Sequence, residues 1–301
     1  MLSSNLYLVG VNNKSLPKNE TIILIKPGMG LNKIAQELYD NNIIKYKFLF
    51  TSWVKFNSMS KNLKAGEYRI KNNSSIIDIF SYLHKGKSVI RFYQVPEGST
   101  QYSLKQDLLK KIKDDNKYFI IPKNLIADTY GYNYNDSIKK IIKNIESYSK
   151  KTSVEIWNTR DKEIPLQSVD ELFIIASIIE KETSKNSEKQ TIAGVFYNRI
   201  KNNMRLQSDP TVIYAISKGK VFNRLLTRKD TKFKSEFNTY YIKGLPPSPI
   251  CFPSFASLYA AANPKKNKFF YFVADGKGGH FFSKNYKGHL KKIKMLKKND
   301  K

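Results

Sequence analysis

The 301-residue chain has one cysteine, Cys251. A lone thiol forms no internal disulfide and no cysteine-based metal site, so burial and hydrogen bonding must hold the fold. Arginine is also scarce, seven of 53 basic residues. Base-edge and bidentate phosphate recognition favour arginine, so a formal charge of +28 built on lysine does not make a specific nucleic-acid reader, and none is expected as a partner. The lysines are spread along the whole chain among asparagines and isoleucines, a pattern suited to loose attraction to an anionic surface or polymer. The three histidines, His84, His280 and His289, lack the short helical spacing of a zinc site, and no metal or other cofactor is expected. No apolar run approaches the ~18 residues of a spanning helix. Leu6-Tyr-Leu-Val-Gly10 is too short and lacks a basic start, so no signal peptide or anchor is visible. There is no Gly-x-Ser-x-Gly elbow, and Asp275-Gly-Lys-Gly-Gly-His280 lacks the glycine spacing of a phosphate cradle.

What is present is a globular composition, 41% hydrophobic and 13% aromatic, long enough for two units at ~150 residues each. Between Ile22 and Lys113 an apolar run, a turn and an amphipathic helix recur three times. The runs are Ile22–Lys26, Glu67–Ile70 and Val89–Val95. The turns are Pro27-Gly-Met-Gly30, Asn72-Asn-Ser-Ser75 and Pro96-Glu-Gly-Ser-Thr100. These read as small α/β modules in an accessory, polymer-binding region. Residues 114–167 read as a polar connecting segment with a helix from Ile138 to Tyr148, 168–296 as a second domain, and 297–301 as a solvated basic tail.

The second domain is organised around Leu172–Thr183. Ser168 with Glu171 three residues on forms a capping box, and an almost wholly apolar helix follows, as expected of one that crosses a core. Glu180 falls on the stripe of Leu172, Phe173 and Ala176. Two readings stay open: Glu180 marks the wet end of the helix, or burial raises its pKa and makes it a proton donor. Glu182 lies about 200° round the helix, so the two carboxylates face apart and cannot share a bond. Asp209 before Pro210 reads as a helix start, with capping at least as good an account of it as catalysis. Lys243-Gly-Leu-Pro-Pro-Ser-Pro249 must be a stiff loop, and Lys268–Ala274 with Phe281–Ser283 a hairpin.

Ile175-Ala-Ser-Ile-Ile-Glu-Lys-Glu-Thr183, Val195-Phe-Tyr-Asn-Arg199, Met204–Tyr214, Asn238-Thr-Tyr240, Gly244-Leu-Pro-Pro247 and Phe272–His280 resemble, in order, the MltG (YceG-like) endolytic murein transglycosylase family. The match continues more weakly through Pro96–Thr100 and Asp128-Thr-Tyr130 and departs at Pro122-Lys-Asn124, where the family usually has Glu-Gly. The resemblance implies an α+β protein, LysM-like modules over 22–113 followed by a mixed α/β transglycosylase domain. It implies endolytic cleavage of the β-1,4 bond between N-acetylmuramic acid and N-acetylglucosamine in nascent glycan strands. That cut leaves 1,6-anhydro ends and needs no cofactor. It implies Glu180, the first Glu of Glu-Lys-Glu-Thr, as the catalytic acid and then base. Gln207, Asn238, Tyr240 and Ser177 are the expected substrate-binding residues, with loop-fixing bonds as the alternative for the first three and a backward bond to the helix carbonyls for Ser177. Peptidoglycan glycan strands and penicillin-binding synthases are the implied partners, at the periplasmic face of the inner membrane. Residues 1–21 would then be the stub of an anchor. A non-catalytic peptidoglycan-binding scaffold is the rival reading.

Overall fold

The structure, a computed structural model, describes residues 9–12, 17–57, 63–112, 114 and 118–299, with side chains to 296. Most of the stub expected at 1–21, and the last two residues of the expected tail, lie outside the described residues. The chain forms two compact units, 1–93 with 131–136, and 94–130 with 137–301.

In the first unit, β1 (Thr21–Ile25) and β2 (Gly66–Ile70) pair antiparallel, Thr21 opposite Ile70 and Ile25 opposite Gly66. Alternation sends Ile23, Ile25, Tyr68 and Ile70 to one face. That face is covered by α1 (Leu31–Asp40), α2 (Lys47–Phe56) and α3 (Ile76–Lys85) through Ile34, Leu38, Phe50, Val54, Ile79 and Leu83. The turn at 72–75 ends in a capping box between Ser75 and Asp78, which fixes where α3 begins. The third repeat does not join this core. Its strand, β3 (Arg91–Gln94), runs from one unit into the other, and its helix, α4 (Gln101–Lys111), belongs to the second. The chain passes between the units again within β4 (Thr129–Tyr132).

The segment expected to connect the domains carries α5 (Ile138–Asn158), 21 residues long. Its lysines face water while Ile138, Ile141, Ile145 and Ile156 face inward, so the polar composition describes only its outer side. At the centre lies α6 (Val169–Glu182), with every residue from Leu172 to Ile179 buried. Packed around it are α5, α7 (Asn186–Lys201), α8 (Asp209–Ser217) and α9 (Phe255–Ala262). The hairpin of β5 (Tyr271–Ala274) and β6 (His280–Ser283) follows, with Ala274 opposite His280. A lysine-rich helix, α10 (Tyr286–Asn299), closes the fold where only domain end and tail were expected. Among the described residues, no helix is long and apolar enough to cross a membrane.

Strand β5 is approached by a segment laid tightly on α7. A Cβ on Gly194 would sit 2.4 Å from the Lys265 carbonyl oxygen and 2.3 Å from Asn267 Nδ2. Alanine in place of a helical glycine ordinarily stabilises. Here it must push backbone aside, so Gly194→Ala is expected to lose about 1–3 kcal/mol, read as a fall in thermal midpoint.

Candidate active site

The two carboxylates at the end of α6 diverge. Glu180 turns toward the start of α9, where its Oε2 accepts from Ser254 N (2.9 Å), Ser254 Oγ (2.5 Å) and Ser257 Oγ (2.6 Å). Lys189 of α7 approaches the same oxygen at 3.3 Å and also donates to Ser254 Oγ. The Glu180 side chain is 5% exposed and that of Lys189 2%. Burial alone would raise the Glu180 pKa, as the sequence reading expected. The Ser254 and Ser257 hydroxyl bonds, the Ser254 N–H and the Lys189 charge outweigh it, and the carboxyl is held below its usual range. These bonds tie Glu180 to the N-terminus of α9, where a negative charge is stabilised.

Glu182 takes the opposite environment. One oxygen accepts from Ser208 Oγ at 2.5 Å. Burial pushes its pKa up to about 7; the Ser208 bond lowers it, the Asp209 charge raises it and Arg199 lowers it. The raised carboxyl expected on this helix belongs to Glu182 rather than Glu180. It opens on a cleft of about 370 Å³ lined also by Arg199, Gln207, Asp209, Tyr240, Phe272, His280 and His289.

Each wall is fixed by its own set of hydrogen bonds. Ser208, not Asp209, is the N-cap residue of α8, and its hydroxyl serves Glu182 instead of the helix. Asp209 is the first helical residue, and its carboxylate accepts from Tyr240 Oη at 2.7 Å. Burial, followed by that carboxylate, pushes the Tyr240 pKa up. Gln207 sits at φ +47°, a region few side chains adopt, held there by its own N–H to Thr239 O and by Ser208 N to Thr239 Oγ1. Arg199 spends its guanidinium on Phe270 O (2.7 Å) and Leu206 O (2.6 Å), tying the hairpin to the 204–210 loop.

Two of the expected binding residues are not on the cleft. Asn238 is fully buried, donates to Thr231 O and Phe233 O and accepts from Tyr240 N, so it fixes its loop. Ser177 is fully buried, bonded backward to Ile174 O and receiving Ile250 N, so it pins the proline-rich loop and does not reach Glu180. Gln207 and Tyr240 do line the cleft. Cys251 is buried against Ser177 O with its pKa pushed up by burial, which disfavours the thiolate. Among the described residues, no three His, Cys, Asp or Glu side chains cluster as a metal site requires. Asp209, Arg199, His280 and His289 carried no site assignment in the sequence reading, although the first three stand in the ordered motifs.

The profile of the YceG-like family matches residues 23–295. The chain belongs to the YceG-like family. A Bacillus subtilis relative, named endolytic murein transglycosylase, is 33% identical over 91% of this chain and 84% of its own length. A Streptococcus pneumoniae protein of the same name is 26% identical over 92% of this chain, which spans 58% of that longer relative. The crystal structure of a YceG-like protein of Listeria monocytogenes, 30% identical, superposes with a TM-score of 0.56 over 91% of this chain and 99% of that one. The α+β fold is thus a YceG-like fold. The cleft walls fall on the family-like motifs: Glu182 is the next-to-last residue of the first, Arg199 ends the second, Gln207 and Asp209 lie in the third, Tyr240 in the fourth and His280 at the end of the hairpin turn.

Proposed function

We propose that this chain is a lytic transglycosylase of peptidoglycan, cutting endolytically between N-acetylmuramic acid and N-acetylglucosamine. The observation that carries the reading is Glu182, a carboxyl pushed up to about 7 and open to a polar cleft. The relatives' shared name supports the substrate class. A group half protonated near neutral pH can give a proton and take one back. Glu182 protonates the glycosidic oxygen as the C1–O bond breaks. The sugar's own C6 hydroxyl then closes on C1, returning its proton to Glu182 and leaving a 1,6-anhydro end. No second carboxylate is needed to activate a water, in contrast to hydrolysis. Glu180, the acid/base expected from the resemblance, suits the task less well because its proton is held off by three hydrogen bonds and a lysine.

The first unit, in this reading, is a LysM-like grip on glycan, and the synthase partners and inner-membrane tether of the family go with it. The test is incubation of the protein with uncross-linked glycan strands, with product analysis by mass. Anhydro-ended internal fragments support the enzyme, while binding without fragments supports a scaffold. The rate should fall as pH rises through about 7, because the proton donor is then lost.

A further inference from the structure

Two of the chain's three histidines line the cleft, and the chemistry just described uses neither. His280 is held with unusual completeness. Its Nδ1 lies 2.7 Å from Glu188 Oε2, and its backbone N–H donates to Glu188 Oε1 at 3.0 Å, so one carboxylate from the first turn of α7 grips both ends of the residue. The His280 and Glu188 side chains are 12% and 18% exposed.

The turn before His280 is shaped for this grip. Asp275 Oδ1 accepts from Lys277 N (2.7 Å) and Gly279 N (2.8 Å), closing a loop that glycines at positive φ can follow. A Cβ on Gly279 would stand 2.8 Å from Glu188 Oε1, 2.8 Å from Asp275 Oδ2 and 2.9 Å from Lys185 Nζ. The Phe272 ring meets the imidazole edge-on at 5.3 Å between centroids. A surface histidine needs none of this. A ring whose orientation matters does, since a carboxylate on Nδ1 selects the Nδ1–H tautomer and leaves Nε2 with its lone pair.

We propose that His280, braced by Glu188, is a glycan-binding residue of the cleft, its Nε2 accepting a hydrogen bond from a hydroxyl or acetamido N–H of the amino-sugar strand. The inference rests on the reading of this cleft as the glycan site. Nε2 has no protein partner among the described residues, whereas Tyr240 is engaged with Asp209, Arg199 with two carbonyls and Glu182 with Ser208. Glu188 is a positioning residue that acts through the ring.

Binding of soluble uncross-linked glycan strands to the full-length Glu182→Gln protein, followed by calorimetry, tests this without requiring turnover. Adding His280→Ala should weaken binding about tenfold with the thermal midpoint unchanged, a loss in line with one hydrogen bond. His280→Gln, which can place an amide near the Nε2 position, should recover part of the loss, and His280→Asn, which reaches only the Glu188 side, should not. Glu188→Gln should weaken binding a few-fold and change the ¹⁵N pattern of the imidazole, which a merely structural role would not predict. In the parent, the His280 Nε2 signal should move when strands are added. Equal affinity with and without His280, or an Nε2 signal indifferent to saturating strands, overturns the proposal. Histidine-dependent binding, together with an unsubstituted protein that yields no anhydro products, would leave this inference standing and sink the transglycosylase reading instead.

Discussion

Glu182→Gln is expected to abolish strand cleavage, by about 10³-fold or more, and yet to give a protein more stable than the parent at pH 8. The first effect follows from a mechanism in which one group both gives and recovers the proton; glutamine keeps the shape and an acceptor for Ser208 Oγ but carries no transferable proton. The second follows from linkage. A free glutamate titrates near 4.5 and Glu182 near 7. Below about 4.5 both folded and unfolded chains are protonated there and nothing is lost. As pH rises from 4.5 to 7 the unfolded chain gives up the proton more readily, so the folded state loses ground, and above 7 the loss is complete. The gap, at ~1.36 kcal/mol per pH unit, amounts to about 3 kcal/mol. Unfolding curves of parent and variant should therefore coincide near pH 4 and separate in favour of the variant by pH 8. A variant that is inactive and also less stable at pH 8 would mean that Glu182 is a structural carboxylate and that its burial is compensated in a way this cleft does not reveal. Greater stability combined with lost activity is the signature of strain kept for function.

How much of this was legible beforehand divides along the range of the interactions. The core helix could be read because its determinants are local: Ser168 Oγ accepts from the Glu171 N–H and the apolar residues are adjacent, although the Glu171 carboxylate accepts from Gln167 N–H instead of closing the expected capping box on Ser168. The divergence of Glu180 and Glu182 was equally local, a matter of helical pitch. Which of the two has its pKa raised was not. That depends on Ser254 and Ser257, 74 and 77 residues downstream of Glu180, and on Ser208, 26 residues downstream of Glu182. Asn238 meets a different limit, since a polar side chain on a motif loop suggests a ligand contact. Its three partners all lie within its own loop, and its hydrogen-bonding capacity is spent there by a fold of the backbone that no sequence pattern announces. The third repeat failed as a module for a related reason. Periodicity finds a strand and a helix, but which core each joins is a tertiary decision. In the sequence His280 reads only as a candidate metal ligand, because the carboxylate that braces it is 92 residues away.

Removing Glu180 is expected to cost stability first, and activity only through it. Its carboxylate sits between a helix N-terminus and the buried Lys189 ammonium, so Glu180→Gln leaves a lysine that is 2% exposed without its counter-charge. Breaking a buried pair from one side typically costs about 3–5 kcal/mol, because the surviving charge is stranded out of water. The partners are not equivalent. Lys189→Met leaves Glu180 with its three donors and the favourable helix terminus, and should cost clearly less than Glu180→Gln. The double variant, with no stranded charge, should recover part of the loss, which a double-mutant cycle by urea unfolding will measure. Acid should act on the parent in the same sense as the Glu180 substitution. Because the folded Glu180 pKa is depressed, its contribution is fully present above the ordinary carboxylate range and is lost as pH falls through the folded value. The deciding measurement is cleavage by Glu180→Gln at a temperature where it remains folded. If Glu180 is only the brace, the folded variant retains measurable turnover, and its rate still declines as pH rises through about 7, since that limb belongs to Glu182. If folded Glu180→Gln is inert while Glu182→Gln still cuts, the acid and base roles return to the first glutamate and the cleft must be reinterpreted around Ser254 and Lys189.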